Sequence, residues 1–271
     1  MRYRPALLVF VGILAVAVRV PAQDAVRVYA AGSLRQPLTA IADRFTALYA
    51  IPVKLEFGAS GLLKERLERG EPADVFASAN MEHPLALMRQ GKAGPVVLFA
   101  RNELCALVRD GLSVTPPTLI DVMLDPAIKV GTSTPKADPS GDYAWEVFRK
   151  AEEIRPGSRS RLEQKALQLT GGPNSVRPPP GTGVYAYTIQ QGLADVFLTY
   201  CTNARAAVEA LRGGSVVALP PALRVGADYG LTVLNTAQAE RALKLVLLIM
   251  SGEGQEILAH HGFSAPTRLN K

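Results

Sequence analysis

The feature that most constrains this chain is the alternation of short apolar strands with amphipathic helices. Residues 26–31 (VRVYAA) form an apolar, strand-like run, and residues 34–49 repeat apolar side chains at helical spacing through Leu38, Ile41 and Phe45. Two more strand-like runs, PVKLEF and ADVFASA, are each followed by a helical pattern. This alternation predicts an α/β protein whose sheets are mainly parallel and are flanked by helices.

After residue 100 the pattern starts again and continues to the C-terminus. Strand-like runs include ELCALVR, AIKVGTS and ADVFLTY, and a helical pattern covers DYAWEVFRKAEEI. The 271 residues are enough for two domains of ordinary size. We therefore expect two α/β lobes, with the second inserted into the first. Residues 23–103 and 220–271 would form lobe one, and residues 104–219 would form lobe two.

The first 22 residues have the pattern of a secretory signal peptide. Two arginines precede an apolar run at residues 6–18, and Ala22 supplies the small residue expected at a cleavage site. The alternative is a membrane anchor, although the run is shorter than the ~20 residues that span a bilayer. Cleavage removes three arginines and no acid, so the formal net charge falls from +6 to +3. That charge is too small to indicate a nucleic-acid partner.

Four strand-to-helix turns share one composition, a hydroxyl residue next to a glycine. The pairs are Gly32 with Ser33, Ser60 with Gly61, Ser140 with Gly141, and Thr182 with Gly183. Each hydroxyl stands where a helix N-cap is expected, so ordinary capping is one interpretation of every turn. Four such turns together favour another interpretation. Helix N-termini, hydroxyls and closely approaching glycine amides would form a cage of donors suited to an anion.

No combination of residues in the sequence favours catalysis. The histidines are His83, His260 and His261, and none forms a pair with metal-ligand spacing and a supporting carboxylate; His260 and His261 are expected on the surface. The sequence contains no P-loop, dinucleotide or nucleophile-elbow motif. We therefore expect a binding protein without a cofactor. The competing classes are a hydrolase or transferase with Ser33 or Ser60 as nucleophile, and an exported adhesin or signalling module that has lost its ligand.

Two cysteines, Cys105 and Cys201, allow two different states. In an oxidising compartment an even number of cysteines permits one disulfide. Both residues also lie in apolar, strand-like runs, where buried free thiols are common. The sequence leaves a Cys105–Cys201 disulfide and two buried thiols as alternatives.

Several segments of the chain, taken in order, resemble the periplasmic molybdate-binding proteins of ABC transporters. They are VYAAGSL, FGASGLLKERLERGEPADVFASAN, KVGTSTPKADPSGDYAWEVF, GLADVFLTYCTNA and SGEGQEILAHHGF, spread over residues 26–263. The combination of AAGSL, GASG and PADVFASA is the most specific part of the resemblance. It implies the class II periplasmic binding protein fold, with two α/β lobes, a hinge and a cleft that holds an oxyanion by hydrogen bonds without a metal.

The resemblance also implies which residues hold the oxyanion. The implied ligands are Ser33, Ser60, Ser140, Thr182 and Tyr200, the tyrosine that ends FLTY. Their supporting backbone positions are the four turn glycines, Gly32, Gly61, Gly141 and Gly183. Two features depart from the family pattern and bear on which anion fits. The loop GTSTPKADPSG is longer than usual, and Cys201 directly follows the tyrosine.

The implied function is that of a periplasmic monomer that captures molybdate or tungstate and delivers it to a membrane permease and its ATPase. A cage of donors without a carboxylate acceptor would prefer a fully deprotonated dianion, because a protonated anion leaves a group unpaired at ~1–3 kcal/mol. Another oxyanion or a small organic anion is the alternative ligand. We expect neutral hydrogen-bond donors to hold the negative charge of the anion. Arg35 should point outward along its helix, and Lys136 is the cation that we expect closer to the ligand.

Overall fold

A computed structural model describes residues 24–173, 175–211, 213–236 and 238–266 of the chain. The predicted signal peptide, residues 1–22, lies outside the described residues. Within them, no helix combines the length and the apolar character needed to cross a membrane.

Strands and helices alternate along the described residues much as the sequence pattern predicts. The strands are β1 (Val26–Ala31), β2 (Val53–Gly58), β3 (Val75–Ser78), β4 (Ala93–Val108), β5 (Val130–Ser133), β6 (Leu167–Thr170), β7 (Val196–Tyr200), β8 (Ser215–Ala218) and β9 (Gly226–Leu234). The helices are α1 (Arg35–Tyr49), α2 (Ser60–Glu68), α3 (Glu82–Arg89), α4 (Leu119–Leu124), α5 (Pro139–Ile154), α6 (Ser158–Lys165), α7 (Val184–Gln190), α8 (Cys201–Ala210), α9 (Ala239–Met250) and α10 (Gly252–His260).

The strands follow the order β2-β1-β3-β9-β4-β7-β5-β6, and β8 pairs with β4. We call the part built on β1, β2 and β3 the first lobe, and the part built on β5, β6 and β7 the second lobe. Pairing within each of these sets is parallel, as predicted. The pairs made by β4 and β9 are antiparallel, because the chain leaves the first lobe along β4 and returns to it along β9.

Strand β4 is the long connection between the lobes. Its first part pairs with β9 as far as Glu103, which lies opposite Gly226, and its last part pairs with β7 from Leu104 onward. The boundary proposed from the sequence, between residues 103 and 104, lies at this change of partner. Sequence reasoning missed the first ten residues of β4, because Gly94 and Pro95 interrupt the strand pattern there.

Buried aromatic side chains pack where β4 and β9 cross between the lobes. Phe99 from β4 and Tyr229 from β9 are fully buried, with ring centroids 6.3 Å apart. Phe263 packs edge-on against Tyr229 at 5.3 Å. Side chains from both lobes belong to this one hydrophobic core, including Phe45 of α1 and Phe148 of α5. The crossing strands are therefore held together by core packing as well as by the backbone hydrogen bonds between β4 and β9.

A disulfide joins Cys105 of β4 to Cys201, the first residue of α8, with 4.8 Å between their Cα atoms. Of the two states that the sequence allows, the structure has the bonded one. The two cysteines are 96 residues apart, so the bond closes a long loop that contains most of the second lobe. Closing a long loop removes conformations from the unfolded chain and thereby stabilises the folded one.

Replacement of both cysteines by serine is expected to lower the free energy of unfolding by ~2–4 kcal/mol. Urea unfolding of the oxidised protein, the reduced protein and the double variant checks this expectation. The reduced protein should match the variant, and both should unfold at lower urea than the oxidised protein. Identical midpoints for all three would show that the bond contributes nothing to stability.

Candidate functional site

A cavity of about 490 Å³ lies between the two lobes. The first lobe supplies the turns that follow β1 and β2, and the end of β3. The second lobe supplies Asp138, Thr170, Gly171, Tyr200 and the loop before α7. Ligands of α/β proteins bind at the carboxyl ends of parallel strands, and these turns lie at such ends. The topology therefore brings segments that are far apart in sequence to one cavity.

The five predicted ligand residues do not all reach this cavity. Ser33, Thr182 and Tyr200 line it. Ser60 and Ser140 are buried, at 1% and 0% exposure, and neither belongs to the lining. The glycines next to them follow the same pattern. Gly32 and Gly183, beside Ser33 and Thr182, line the cavity, whereas Gly61 and Gly141, beside Ser60 and Ser140, do not.

None of the four turn hydroxyls caps a helix, so the expectation of ordinary capping is wrong at every turn. The N-cap residues are Ala59 for α2, Asp138 for α5 and Gly183 for α7. Only the Asp138 side chain among these accepts a capping hydrogen bond, from the Ser140 amide. Ser33 lies in a short 3-10 helix that has no side-chain cap. Capping therefore does not account for the hydroxyls.

The second turn lines the cavity through Ala59, whereas Ser60 and Gly61 contact other parts of the protein. The Ser60 hydroxyl accepts a hydrogen bond of 3.1 Å from the Ala79 amide. The Gly61 amide donates across the gap to the Ala137 carbonyl at 2.9 Å. A Cβ atom on Gly61 would overlap the carbonyl oxygens of Lys136 and Ala137. Glycine is required here because one lobe's backbone touches the other's, and not because a ligand approaches.

The third turn is packed inside the second lobe. A Cβ atom on Gly141 would overlap the backbone of Thr134 and Pro135, so this glycine permits close packing of α5 on the preceding loop. The Ser140 hydroxyl is buried and has no hydrogen-bond partner among the described residues. Gly141 was predicted to offer its backbone amide to a ligand, but it does not line the cavity.

Tyr200 is the predicted residue whose surroundings most clearly suit ligand binding. Its side chain is 2% exposed, and its hydroxyl has no hydrogen-bond partner within the described part of the chain. The rings of Tyr143 and Tyr229 lie beside it, with centroids 6.3 and 5.6 Å away. Burial raises the pKa of Tyr200 well above its ordinary value, so the phenol keeps its proton. It is a buried hydrogen-bond donor on a residue that lines the cavity.

A chain of hydrogen bonds at the crossing strands orients two further hydroxyls. Asn102 of β4 uses its amide oxygen to accept from the Glu103 amide at 2.9 Å. Its Nδ2 group then donates to the Thr202 hydroxyl at 2.9 Å and to the Tyr229 hydroxyl at 3.4 Å. The Tyr229 hydroxyl lies 2.9 Å from the Ser33 hydroxyl.

This chain leaves the hydroxyl hydrogen of Thr202 free, and it joins Ser33 to Tyr229 by a bond in which either hydroxyl can donate. When Tyr229 donates to Ser33, the Ser33 hydrogen is free as well. The hydrogens of Ser33 and Thr202 are then free, and both residues line the cavity. Sequence reasoning missed Asn102, Thr202 and Tyr229, although Thr202 stands two residues after Tyr200 in the recognised segment FLTYCTNA.

The basic residues Arg35 and Lys136 do not lie where the sequence led us to expect them. Arg35 lines the cavity, and its guanidinium lies over the Phe57 ring, 4.6 Å from the centroid. Lys136 is exposed and does not belong to the lining. His261 also lines the cavity, whereas its neighbour His260 is exposed. Arg35, expected to point outward, is exposed and also lines the cavity, so it and not Lys136 is the cation at the site.

A carboxyl group also lines the cavity, which corrects the expectation of donors alone. The Asp138 Oδ1 atom accepts a hydrogen bond of 3.0 Å from the Ser140 amide. Burial raises the pKa of Asp138 to about 6. Hydrogen bonds from the Ser140 amide and the Ser133 hydroxyl lower this pKa, but by less than burial raises it. The cavity therefore presents hydroxyl donors together with one acidic group.

Metal binding by side chains is not suggested by this arrangement. Among the described residues, no group of three or more histidine, cysteine, aspartate or glutamate side chains is placed to hold a metal ion. Hydroxyls, peptide groups and one arginine can hold an anion by hydrogen bonds and charge.

Two lobes joined by crossing strands, with a cavity between them that is lined by hydroxyl, carboxyl and arginine groups among apolar residues, define a two-lobed binding protein. The sequence model for bacterial extracellular solute-binding proteins matches residues 26–264, and the chain belongs to this family. Membership confirms a solute-binding protein, as opposed to an enzyme. It also implies that the protein works outside the cytoplasm.

Relatives by sequence include proteins of known and unknown ligand. An uncharacterized protein of Pasteurella multocida is 36% identical over 241 residues, which cover 88% of this chain and 97% of the relative. The molybdate-binding protein ModA of Mycobacterium tuberculosis is 27% identical over 250 residues, which cover 88% of this chain and 84% of the relative.

Solved structures with the same architecture bind different anions. The periplasmic molybdate-binding protein of Azotobacter vinelandii has a TM-score of 0.72 and 19% identity, covering 89% of this chain and 100% of its own. The sulfate-binding protein SubI of Mycobacterium tuberculosis also has a TM-score of 0.72 and 19% identity, covering 90% and 88%. These likenesses confirm the predicted two-lobed fold.

Replacement of Gly61 by alanine is expected to keep the lobes from closing, because its Cβ atom would overlap two carbonyl oxygens of the other lobe. Affinity for a probe anion such as molybdate should fall at least tenfold, and small-angle scattering should show a more open protein. Gly252→Ala is the matched control, since a Cβ atom there has no neighbour within 4 Å. Equal compaction and affinity in Gly61→Ala and wild type would contradict this role.

Tyr229→Phe is expected to weaken the binding of a probe oxyanion about fivefold, the equivalent of a hydrogen bond worth ~1 kcal/mol. The variant removes the hydroxyl that is hydrogen-bonded to Ser33 while keeping the buried ring. Titration calorimetry on Ser33→Ala, Tyr229→Phe and the double variant measures the coupling. The Tyr229 substitution should have no further effect once Ser33 is gone, and additive losses would show that the two residues act separately.

Proposed function

We propose that this protein captures a small oxyanion in the cavity between its lobes and delivers it to an ABC transporter permease and ATPase. The observation that carries the proposal is the buried hydroxyl of Tyr200, a residue of the cavity lining, which has no hydrogen-bond partner among the described residues. A buried polar group without a partner costs free energy, and an anion in the cavity would supply the missing acceptor.

Molybdate or tungstate is the ligand that we propose first. The motifs around Ser33 and Tyr200 support this choice, as does the relative named as a molybdate-binding protein. Three hydroxyl hydrogens, from Ser33, Tyr200 and Thr202, are available to a tetrahedral anion. Thr182, which also lines the cavity, would add a donor at its rim, and Arg35 would supply a compensating charge.

The same proposal includes the location and the assembly of the protein. It acts in the periplasm after removal of residues 1–22, and it works as a monomer whose lobes close on the ligand. The proposed lobes keep the bounds 23–103 with 220–271 and 104–219. Ser60 and Ser140 are proposed to act indirectly: Ser60 holds the turn after β2 to the end of β3, and Ser140 packs behind the cavity.

A small organic anion is a second candidate for the ligand. The cavity of about 490 Å³ lies in the range of ~300–1,000 Å³ typical of pockets for organic ligands. A single tetrahedral oxyanion would leave much of this space to water. An organic anion that carries a phosphate or carboxylate group could place its charge near Tyr200 and extend toward His261.

A thermal-shift and calorimetric panel tests the proposal with molybdate, tungstate, sulfate, phosphate, chromate and small organic phosphates. We expect at least one of the oxyanions to bind. For that anion, Ser33→Ala and Tyr200→Phe should each weaken binding by ~1–3 kcal/mol, because each removes a donor to a charged group. Tyr49→Phe, at an exposed tyrosine, is the control for the lost hydroxyl. Failure of every anion to bind would overturn the proposal.

A further inference from the structure

We propose that Asp138 contacts the bound anion and shares one proton with it, so that this site binds each oxyanion together with a proton. This inference rests on the proposed function and adds a condition on the ligand. An anion that carries its own proton, such as hydrogenphosphate or a phosphate monoester, would bring the proton with it. A fully deprotonated anion, such as molybdate or sulfate, would take the proton from solvent.

The backbone around Asp138 fixes its carboxyl group at the cavity wall. Its Oδ1 atom is held by the Ser140 amide at 3.0 Å, as the N-cap of α5. Gly171 packs directly behind the side chain, and a Cβ atom there would overlap the Asp138 carboxylate. Both Asp138 and Gly171 line the cavity. The carboxyl group is therefore held in place where the ligand binds.

No cation neutralises this carboxyl group by direct contact, since Asp138 takes part in no salt bridge within the described residues. The groups that act on it from its own segment are Ser133, Ser140 and Asp142. Three tyrosines interact with it from other elements, Tyr185 of α7, Tyr200 of β7 and Tyr229 of β9. The cations that line the same cavity are Arg35 and, when protonated, His261.

An ionised carboxylate has no hydrogen to donate and would repel a dianion in the same cavity. One proton between the two groups removes the repulsion and makes a charge-assisted hydrogen bond. Burial already raises the pKa of Asp138 to about 6, before any anion is present. A bound dianion would raise this pKa further, so proton uptake near neutral pH follows from the geometry of the cavity.

Calorimetry at pH 8.0 in two buffers of different ionisation enthalpy counts the protons that accompany binding. At this pH sulfate, molybdate and hydrogenphosphate all carry two negative charges, but only hydrogenphosphate has a proton. For molybdate or sulfate we expect uptake of about one proton per anion and affinity that rises about tenfold from pH 8 to pH 7. Hydrogenphosphate, if it binds, should show no uptake.

Asp138→Asn is the decisive variant, because asparagine keeps the helix cap while losing the titrating group. Proton uptake and the pH dependence of molybdate or sulfate affinity should both disappear. Asp142→Asn is the matched control: it removes a nearby acid that does not line the cavity, and uptake should persist. A cap role alone would leave the proton count unchanged in both variants.

The outcomes separate this inference from the proposed function. Binding of molybdate or sulfate without proton uptake overturns the inference and leaves the proposed function standing. Uptake that persists in Asp138→Asn also overturns it, and would assign the proton to His261. Failure of every anion to bind the wild-type protein overturns both proposals.

Discussion

The antiparallel pairing of β4 with β9 is the interaction on which the rest of this structure depends. The chain leaves the first lobe along β4 and re-enters it along β9, so both lobes are positioned by one ladder. Phe99 and Tyr229 fill the core at the crossing, and the Cys105–Cys201 bond ties β4 to the start of α8. Because the cavity lies between the lobes, its width and shape are set by this crossing.

The same two strands connect core packing to the chemistry of the cavity. Asn102 belongs to β4 and Tyr229 to β9, so their hydrogen bond exists only because the strands are paired. The Tyr229 hydroxyl is in turn hydrogen-bonded to Ser33 of the first lobe, and the second Asn102 bond orients the hydroxyl of Thr202 in the second lobe. Buried tyrosines beside them keep their protons, since burial disfavours the phenolate. The cavity is thus prepared to donate before any ligand arrives.

Much of the fold and part of the site could be predicted from the sequence. Residues 26–31 and 196–200 are apolar runs that end in small or aromatic residues, and the motifs there lead directly to Ser33 and Tyr200. Strand β6 and helix α8 were not predicted, because β6 has only four residues and α8 begins directly after β7 with no turn residue between them. Ser60 and Ser140 shared the composition of the lining turns, but composition does not tell which face of a turn meets a cavity. Their position became clear only from the contacts of Ala79 and Thr134.

The sequence by itself determined the α/β class, the family motifs and the hydroxyl-rich chemistry of the turns, because these depend on local periodicity and residue type. Only the tertiary structure decided how charge is distributed in the cavity. Arg35 and Lys136 are both close to site residues in sequence, yet only Arg35 lines the cavity. Asp138 would serve as a helix cap in any fold, but it faces a ligand cavity here because β6 and Gly171 hold it at the meeting point of two lobes. Such placement arises from contacts between distant segments, which no local pattern contains.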